Sequence, residues 1–341
     1  MRTRSLSIGA LAALAGVVAH AAPPQDMLTP AGPQAAHIQD LWHVMLLVCT
    51  VVFAAVLAAL VYALWRAPRS TAAESPDLGQ NALRERKTQR SVTMAIATAA
   101  ALLLFLIVAS VLTDQALARL SQKDALQVQI TANQWWWEAR YDDAQPSKIF
   151  TTANELHIPT GKPVVFTLKS NDVIHSFWVP NLHGKKDLIP GRTSTLVLQA
   201  DKAGIYRGQC AEFCGFQHTF MAFLVVAEPP AEYEAWAARQ REPAATAADA
   251  QLARGRDVFL GSSCVMCHTV QGTSAAARRG PDLTHVGARQ TIAAGRLANT
   301  SEELAAWIRD PQQFKPGVNM PASTLPDEDL TALVAYLRSL R

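Results

Sequence analysis

Two long apolar stretches dominate the first third of the chain. Residues 41–65 and 91–113 contain no Asp, Glu, Lys or Arg. Each stretch is longer than the ~20 residues that a helix needs to cross a bilayer. Trp42 and Trp65 lie near the two ends of the first stretch, where aromatic side chains favour the membrane interface. The pattern predicts a two-helix transmembrane hairpin, and a buried helical hairpin of a soluble protein is the alternative.

The apolar run at the start of the chain is shorter and has different flanks. Two arginines precede an apolar run over residues 6–19, and Ala19-His20-Ala21 has the form of a cleavage site. Residues 1–21 therefore predict a secretory signal peptide that is removed after Ala21, with an uncleaved membrane helix as the alternative.

The segment between the two apolar stretches is basic. Residues 66–90 carry six arginines or lysines against three acidic residues. Short basic loops stay on the cytoplasmic side of a membrane. Within the N-terminal part, residues 22–120, this predicts that both ends face outward, away from the cytoplasm.

Residues 121–230 show the alternation of apolar and polar positions that strands require. It is clearest at 126–130, 155–158 and 164–168, and residues 159–161 form a Pro-Thr-Gly turn sequence. The pattern predicts an all-β domain.

Helical spacing returns after residue 230. A short helical stretch and a linker of small residues fill 231–250. Apolar residues repeat at helical spacing over 327–340, and Thr300 begins a capping sequence for another helix. Residues 251–341 are therefore predicted to form an all-α domain.

The composition agrees with membrane segments joined to soluble domains. Half of the 341 residues are hydrophobic and only 17% are charged. The formal net charge is +3, which is too small to indicate a nucleic acid partner.

Segment 208–221, with the sequence GQCAEFCGFQHTFM, concentrates side chains that bind soft metals. Thiolate, imidazole and thioether groups together favour copper over magnesium, calcium or manganese. A single copper ion leaves one thiolate unused, whereas two copper ions bridged by both sulfurs use every group. The predicted ligands are the side chains of His175, Cys210, Cys214, His218 and Met221 and the backbone carbonyl of Glu212. A disulfide between the cysteines or a zinc site is the alternative.

A second pair of cysteines, Cys264 and Cys267, is followed by His268. C-x-x-C-H is the attachment signature of a c-type haem, in which both thiols bind the porphyrin and the histidine binds the iron. A redox-active C-x-x-C pair is the alternative. Cys49, the fifth cysteine, lies within an apolar run and is predicted to be a small buried side chain.

The copper motif resembles a known family. C-x-E-x-C-G-x-x-H-x-x-M, preceded by H-S-F-W-V-P and K-D-L-I-P-G-R, is similar to the copper A domain of cytochrome c oxidase subunit II. The resemblance implies a cupredoxin-like Greek-key domain, a mixed-valence copper pair that relays single electrons, and a magnesium ion held by the carboxylate of Glu212 and by subunit I. It also implies that Trp135 belongs to an aromatic electron-input patch, although Ala132 and Asn133 stand where Gly-His is commoner.

The C-terminal part resembles a class I cytochrome c. Residues 280–283 are similar to the loop that supports the haem-binding histidine, and Asn319-Met320-Pro321 is similar to the loop of the distal methionine. The resemblance implies that Met320 is the sixth ligand of the haem iron, with His285 as the alternative. Met/His ligation suits electron transfer rather than oxygen binding.

The combined motifs predict a membrane-anchored multidomain protein that is the electron-input subunit of a haem-copper cytochrome c oxidase. Its predicted partners are the catalytic subunit I, subunit III, a cytochrome c donor and membrane lipid, and oxygen reduction is assigned to subunit I. Its predicted cofactors are two copper ions, one covalent haem c and the shared magnesium. The alternatives are a copper-domain subunit of a nitric oxide reductase and a membrane-tethered copper-delivery or redox-sensing protein.

Overall fold

The structure is a computed structural model that describes residues 25–67, 82–120 and 122–341. The predicted signal peptide lies outside the described residues, as does the middle of the basic loop between the predicted membrane helices.

Two long helices form the N-terminal part. α1 (Pro33–Arg66) and α2 (Ala82–Leu117) contain the two predicted spans, and both are long and apolar enough to cross a membrane. Most of their apolar side chains are not covered by any other part of the chain, as expected for helices that face lipid. The prediction that Cys49 is buried is wrong, because no other part of the chain covers its side chain on α1.

Ten strands within the described residues form a two-sheet sandwich. They are β1 (Leu126–Asn133), β2 (Trp136–Asp142), β3 (Phe150–Ala153), β4 (Glu155–Pro159), β5 (Val164–Ser170), β6 (His175–Trp178), β7 (Lys186–Leu188), β8 (Ser194–Leu198), β9 (Gly204–Cys210) and β10 (Ala222–Glu228). One sheet has the order β3-β2-β1-β5-β8 and the other has the order β4-β10-β9-β6-β7. The pairs β1/β5 and β10/β4 are parallel, and the other pairs are antiparallel. The sandwich confirms the predicted all-β, cupredoxin-like architecture.

The core of the sandwich lies directly beneath the predicted copper ligands. Strict alternation along β2 turns Trp137 inward, where its ring is fully buried. The ring centroid lies 5.9 Å from that of Phe177, 5.2 Å from that of Phe223 and 6.1 Å from that of His175. Burying an aromatic side chain of this size contributes about 2–3 kcal/mol. The floor of the ligand cluster is therefore a packed aromatic group.

A short helix and a second, mainly helical core follow the sandwich. The elements are α3 (Pro230–Gln240), α4 (Ala250–Gly261), β11 (Thr291–Ile292), β12 (Leu297–Ala298), α5 (Ser301–Arg309), α6 (Pro311–Phe314) and α7 (Asp327–Ser339). The hydroxyl of Thr300 accepts a hydrogen bond from the N–H of Glu303, which confirms the predicted cap of α5. α4 and α7 cross closely, with Gly255 against the backbone of Ala332. This part confirms the predicted helical character of the C-terminal third.

Candidate metal and haem centres

Two neighbouring strands hold the predicted dicopper ligands at one end of the sandwich. His175 is the first residue of β6, and Cys210 is the last residue of β9. These strands pair antiparallel with Phe177 opposite Cys210, so His175, two residues before Phe177, lies diagonally across from Cys210. The following loop passes through a 3₁₀ turn at His218–Phe220, and the N–H of Cys210 donates to the carbonyl of Met221 at 2.9 Å. Strand pairing thus closes the base of the ligand loop.

The predicted ligand atoms form a continuous series of close contacts. Sγ of Cys210 lies 3.8 Å from Nδ1 of His175 and 3.7 Å from Sγ of Cys214. Sγ of Cys214 lies 3.6 Å from Nδ1 of His218 and 3.9 Å from Sδ of Met221. The fold therefore brings together all five predicted side chains, although 46 positions separate the first from the last.

Cys210 and Cys214 are free thiols, because their sulfur atoms lie 3.7 Å apart, whereas a disulfide bond is about 2.05 Å long. The hydrogen bond between them, opposed by burial, lowers the pKa of Cys210 to about 3. The same hydrogen bond, together with burial, raises the pKa of Cys214. One thiolate therefore forms readily and its charge opposes formation of the second. A soft cation bound to both sulfurs removes this repulsion, so the donor set fits copper.

Asp172, which was not predicted from the sequence, orients His175. Its Oδ1 lies 2.8 Å from Nε2 of the fully buried imidazole, so that Nδ1 faces Cys210. Burial disfavours the charged imidazole, but the hydrogen bonds to Asp172 and Cys210 outweigh it and raise the pKa of His175. Carboxylates that hold a ligand histidine in this way fix its ring and tautomer. The signal in the sequence is the carboxylate three residues before the ligand.

Glu212 presents its two oxygen-bearing groups in different directions. Its backbone carbonyl, one of the predicted copper ligands, lies 3.3 Å from Sγ of Cys210. Its carboxylate lies 3.2 Å from Nζ of Lys185, and both side chains are about half exposed. The magnesium role of this carboxylate stays a prediction.

Trp135 lies against the ligand loop rather than on an open surface. Its side chain is only 7% exposed, and its indole N–H donates to the carbonyl of Cys214 at 2.9 Å. The side-chain amide of Gln134 donates to the same carbonyl at 2.8 Å. The predicted electron-input residue is thus joined to a predicted ligand by one hydrogen bond.

The haem motif occupies a short 3₁₀ turn at Ser263–Met266 that follows α4. Cys264 and Cys267 are both half-buried. Nδ1 of His268 lies 2.7 Å from the carbonyl of Pro281, which leaves Nε2 for iron. Burial, opposed by that carbonyl, lowers the pKa of His268 and keeps the imidazole neutral. These donors fit covalent haem attachment with histidine ligation.

The surroundings of His268 include a close backbone approach. A Cβ at Gly280 would lie 2.7 Å from Cε1 of the imidazole, so the Gly280-Pro281 loop supports the ring only with glycine at that position. Met320 packs against the same helical core. His285 is buried elsewhere, with Nε2 at 3.0 Å from the carbonyl of Glu242 in the linker. The assignment of Met320 as the sixth ligand stays a prediction.

The turn between β11 and β12 in the helical part lies directly against the copper-ligand loop. The N–H of Ala222, the residue after Met221, donates to the carbonyl of Ala294 at 3.0 Å. The guanidinium of Arg296 lies 4.4 Å from the centre of the Phe220 ring, a cation–π contact. The two predicted redox centres therefore belong to packed neighbours rather than to parts joined only by the linker.

Comparisons with known proteins agree with this division of the chain. Residues 145–228 match the family "Cytochrome C oxidase subunit II, periplasmic domain", and residues 252–341 match the family "Cytochrome c". The chain is 45% identical over 219 residues to cytochrome c oxidase subunit 2 of Alkalihalophilus pseudofirmus, covering 63% of the chain and 61% of the relative. It is 34% identical over 258 residues to cytochrome c oxidase subunit 2 of Bacillus sp. strain PS3, covering 70% of the chain and 71% of the relative.

The chain belongs to the cytochrome c oxidase subunit 2 family. The Bacillus subtilis member is 35% identical over 230 residues, and the match covers 64% of the chain and 63% of that relative. The chain thus spans less than two thirds of the length of the A. pseudofirmus and B. subtilis relatives.

Family membership agrees with the chemistry of both centres. A subunit 2 domain implies copper at the His175, Cys210 and Cys214 cluster, and a cytochrome c domain implies haem at the Cys264 to His268 motif. Together with α1 and α2, the match to a periplasmic domain describes a membrane-anchored protein with periplasmic domains.

Proposed function

We propose that this chain is the electron-input subunit of a haem-copper respiratory oxidase. It receives electrons from a cytochrome c donor and delivers them, through sites for a covalent haem c and two copper ions, to a catalytic subunit I that reduces oxygen to water. Subunit III, a shared magnesium ion at Glu212 and location in the bacterial inner membrane are parts of the same proposal.

The observation that carries the proposal is the contact between Trp135 and Cys214. The indole N–H donates to the carbonyl of a predicted copper ligand, and the backbone carbonyl of Trp135 accepts a hydrogen bond from Lys315 in the loop that leads to Met320. One residue thus touches both predicted redox parts. When bound, haem and a copper pair would each accept and release single electrons without bond breaking.

The residues of this chain supply shielding and fixed geometry. Three of the predicted copper ligands, His175, Cys210 and Met221, are at most 1% exposed. A backbone hydrogen bond holds Cys210 against Met221, and the carboxylate of Asp172 holds His175. A rigid, water-poor ligand cluster changes little on gaining or losing one electron, which suits rapid transfer.

The function is tested on the purified complex. Oxygen uptake with reduced cytochrome c as donor is measured beside the haem and copper contents. We expect oxygen consumption with two copper ions and one covalent haem in this chain. Consumption of nitric oxide without oxygen uptake would instead support a nitric oxide reductase. Isolation of a stable, copper-loaded chain without a haem-containing partner subunit would support copper delivery or redox sensing.

Trp135→Phe is expected to slow reduction of the dicopper centre roughly tenfold, equivalent to about 1.4 kcal/mol of barrier. The change removes the indole N–H bond to Cys214 but keeps an aromatic ring. Stopped-flow absorbance at the copper bands, after the oxidised complex is mixed with reduced cytochrome c, measures the rate.

Trp65→Phe is the matched control, because Trp65 is 79% exposed near the end of α1. Its rate should equal that of the unmodified complex. An unchanged rate in a fully copper-loaded Trp135→Phe complex would remove Trp135 from the proposed route.

A further inference from the structure

A buried lysine lies between the two predicted redox parts. Lys315 follows α6 and precedes Met320 by five positions, and its side chain is only 1% exposed. Lysine is seldom fully buried unless its amine is paired. Here Nζ donates to two backbone carbonyls, to that of Trp135 at 3.0 Å and to that of Ala293 at 3.4 Å.

The first of these carbonyls, that of Trp135, belongs to the sandwich that carries the predicted copper ligands. Trp135 immediately precedes β2, and its indole donates to the carbonyl of Cys214. A displacement of the Trp135 backbone would therefore move the group that contacts a predicted copper ligand. Lys315, which belongs to the helical part with the predicted haem site, holds that backbone by its hydrogen bond to the Trp135 carbonyl.

The second carbonyl belongs to a tight turn that also touches the dicopper loop. Ala293, Ala294 and Gly295 all have positive φ, of 52°, 58° and 77°. Non-glycine residues adopt this conformation only where surrounding contacts hold them there. The carbonyl of Ala294 accepts from the N–H of Ala222, next to Met221. The amine of Lys315 thus joins the loop that leads to Met320 both to this turn and to Trp135.

Two further hydrogen bonds hold the same loop against the sandwich. The amide of Asn319 donates to the carbonyl of Gln134 at 3.3 Å, and the amide of Gln217 donates to the carbonyl of Pro316. Asn319 is exposed. Because a buried amine is costly unless its hydrogen bonds are made, the two bonds to backbone carbonyls fix where the Lys315 side chain lies.

We propose that Lys315 is a positioning residue that fixes the methionine-bearing loop against Trp135, and thereby sets the rate of electron transfer from the cytochrome part to the dicopper part. The proposal rests on the proposed function, since it assigns a role within that route. Lys315 touches neither centre and acts through Trp135 and the 293–295 turn.

The test uses the complete complex, loaded with haem and copper, and the variant Lys315→Met. This side chain fills a similar volume without a hydrogen-bond donor. We expect transfer between the two centres to slow roughly tenfold, equivalent to about 1.4 kcal/mol of barrier, because the loss of both hydrogen bonds frees the Trp135 backbone and the 293–295 turn. The rate at which donor cytochrome c reduces the haem should not change. Rapid-mixing absorbance followed separately at haem and copper bands resolves the two steps.

Lys162→Met is the matched control, because Lys162 is exposed at the turn before β5. Unchanged transfer in a fully loaded Lys315→Met complex overturns the proposal. If Lys315→Met does not load both cofactors, Lys315→Gln decides, since it keeps N–H donors on a shorter side chain. Slower transfer in a loaded Lys315→Gln complex supports the proposal, and an unmodified rate overturns it. Failure of both variants to load shows a purely structural role and also overturns it.

The same experiment separates this inference from the proposed function. Absence of any transfer between the two centres in the unmodified complex contradicts the proposed function. Transfer in the unmodified complex, with an equal rate in Lys315→Met, contradicts only the role of Lys315.

Discussion

Replacement of either Cys210 or Cys214 by serine is expected to eliminate the near-infrared absorption of the copper centre while the haem spectrum persists. Each sulfur lies in contact with the other and with one histidine, so the loss of either breaks the soft ligand set. A serine hydroxyl is a hard, neutral donor that does not replace a bridging thiolate. Copper content should fall from two ions toward zero, and oxygen uptake with cytochrome c should fall to background. Metal analysis, absorption spectra and oxygen uptake of the purified complex measure these effects.

Cys49→Ser is the matched control, since Cys49 lies on the exposed face of α1, away from both motifs. It should retain copper, haem and activity. A Cys210→Ser or Cys214→Ser protein that retains both copper ions and the near-infrared band would refute the bridging assignment. Zinc in place of copper in the unmodified protein would have the same consequence.

Gly255→Val is expected to produce the opposite pattern, with loss of the cytochrome fold and retention of the copper spectrum. A Cβ at Gly255 would lie 2.0 Å from the carbonyl oxygen of Ala332 and 2.7 Å from Cβ of Tyr336, where α4 crosses α7. Forcing such atoms into a packed crossing destabilises a fold by about 3 kcal/mol or more. This is a large part of the ~5–15 kcal/mol that stabilises a typical domain. Denaturant unfolding of the full chain, followed by haem absorbance, measures the loss.

Gly261→Ala provides the control within the same helix. A Cβ at Gly261 meets no atom within 4 Å, so the free energy of unfolding should change little. An equal stability of Gly255→Val and the unmodified chain would mean that the crossing of α4 and α7 is not closely packed in solution. Loss of the copper band together with the haem fold would show that the two parts unfold as one cooperative unit.

Local patterns were enough to predict the elements and most ligands. The apolar stretches predicted α1 and α2, and alternation predicted β1, β4 and β5. The ligand loop was readable because four of its side chains lie within twelve positions, where chain connectivity alone keeps them close. C-x-x-C-H was readable for the same reason.

The burial of two side chains required the packed structure. Cys49 was predicted to be buried because its neighbours are apolar, but apolar neighbours on a membrane helix face outward. Trp135 was predicted to belong to an electron-input patch, a role that stays a prediction, and only the structure shows that its side chain is 7% exposed and that its carbonyl is bonded to Lys315. The spacing of apolar residues predicts which side chains avoid water, but it does not predict whether lipid or another part of the chain covers them.

The sequence by itself determined which atoms are available for metal and haem, because ligand chemistry belongs to residue types and their short spacings. Only the tertiary structure decided how the two centres are joined. The bond between Lys315 and Trp135 links residues 180 positions apart, and that between Asp172 and His175 depends on ring orientation rather than on spacing alone. The hydrogen bond between Lys315 and Trp135 forms only when the helical part packs against the sandwich, and the burial that accompanies this packing strengthens it.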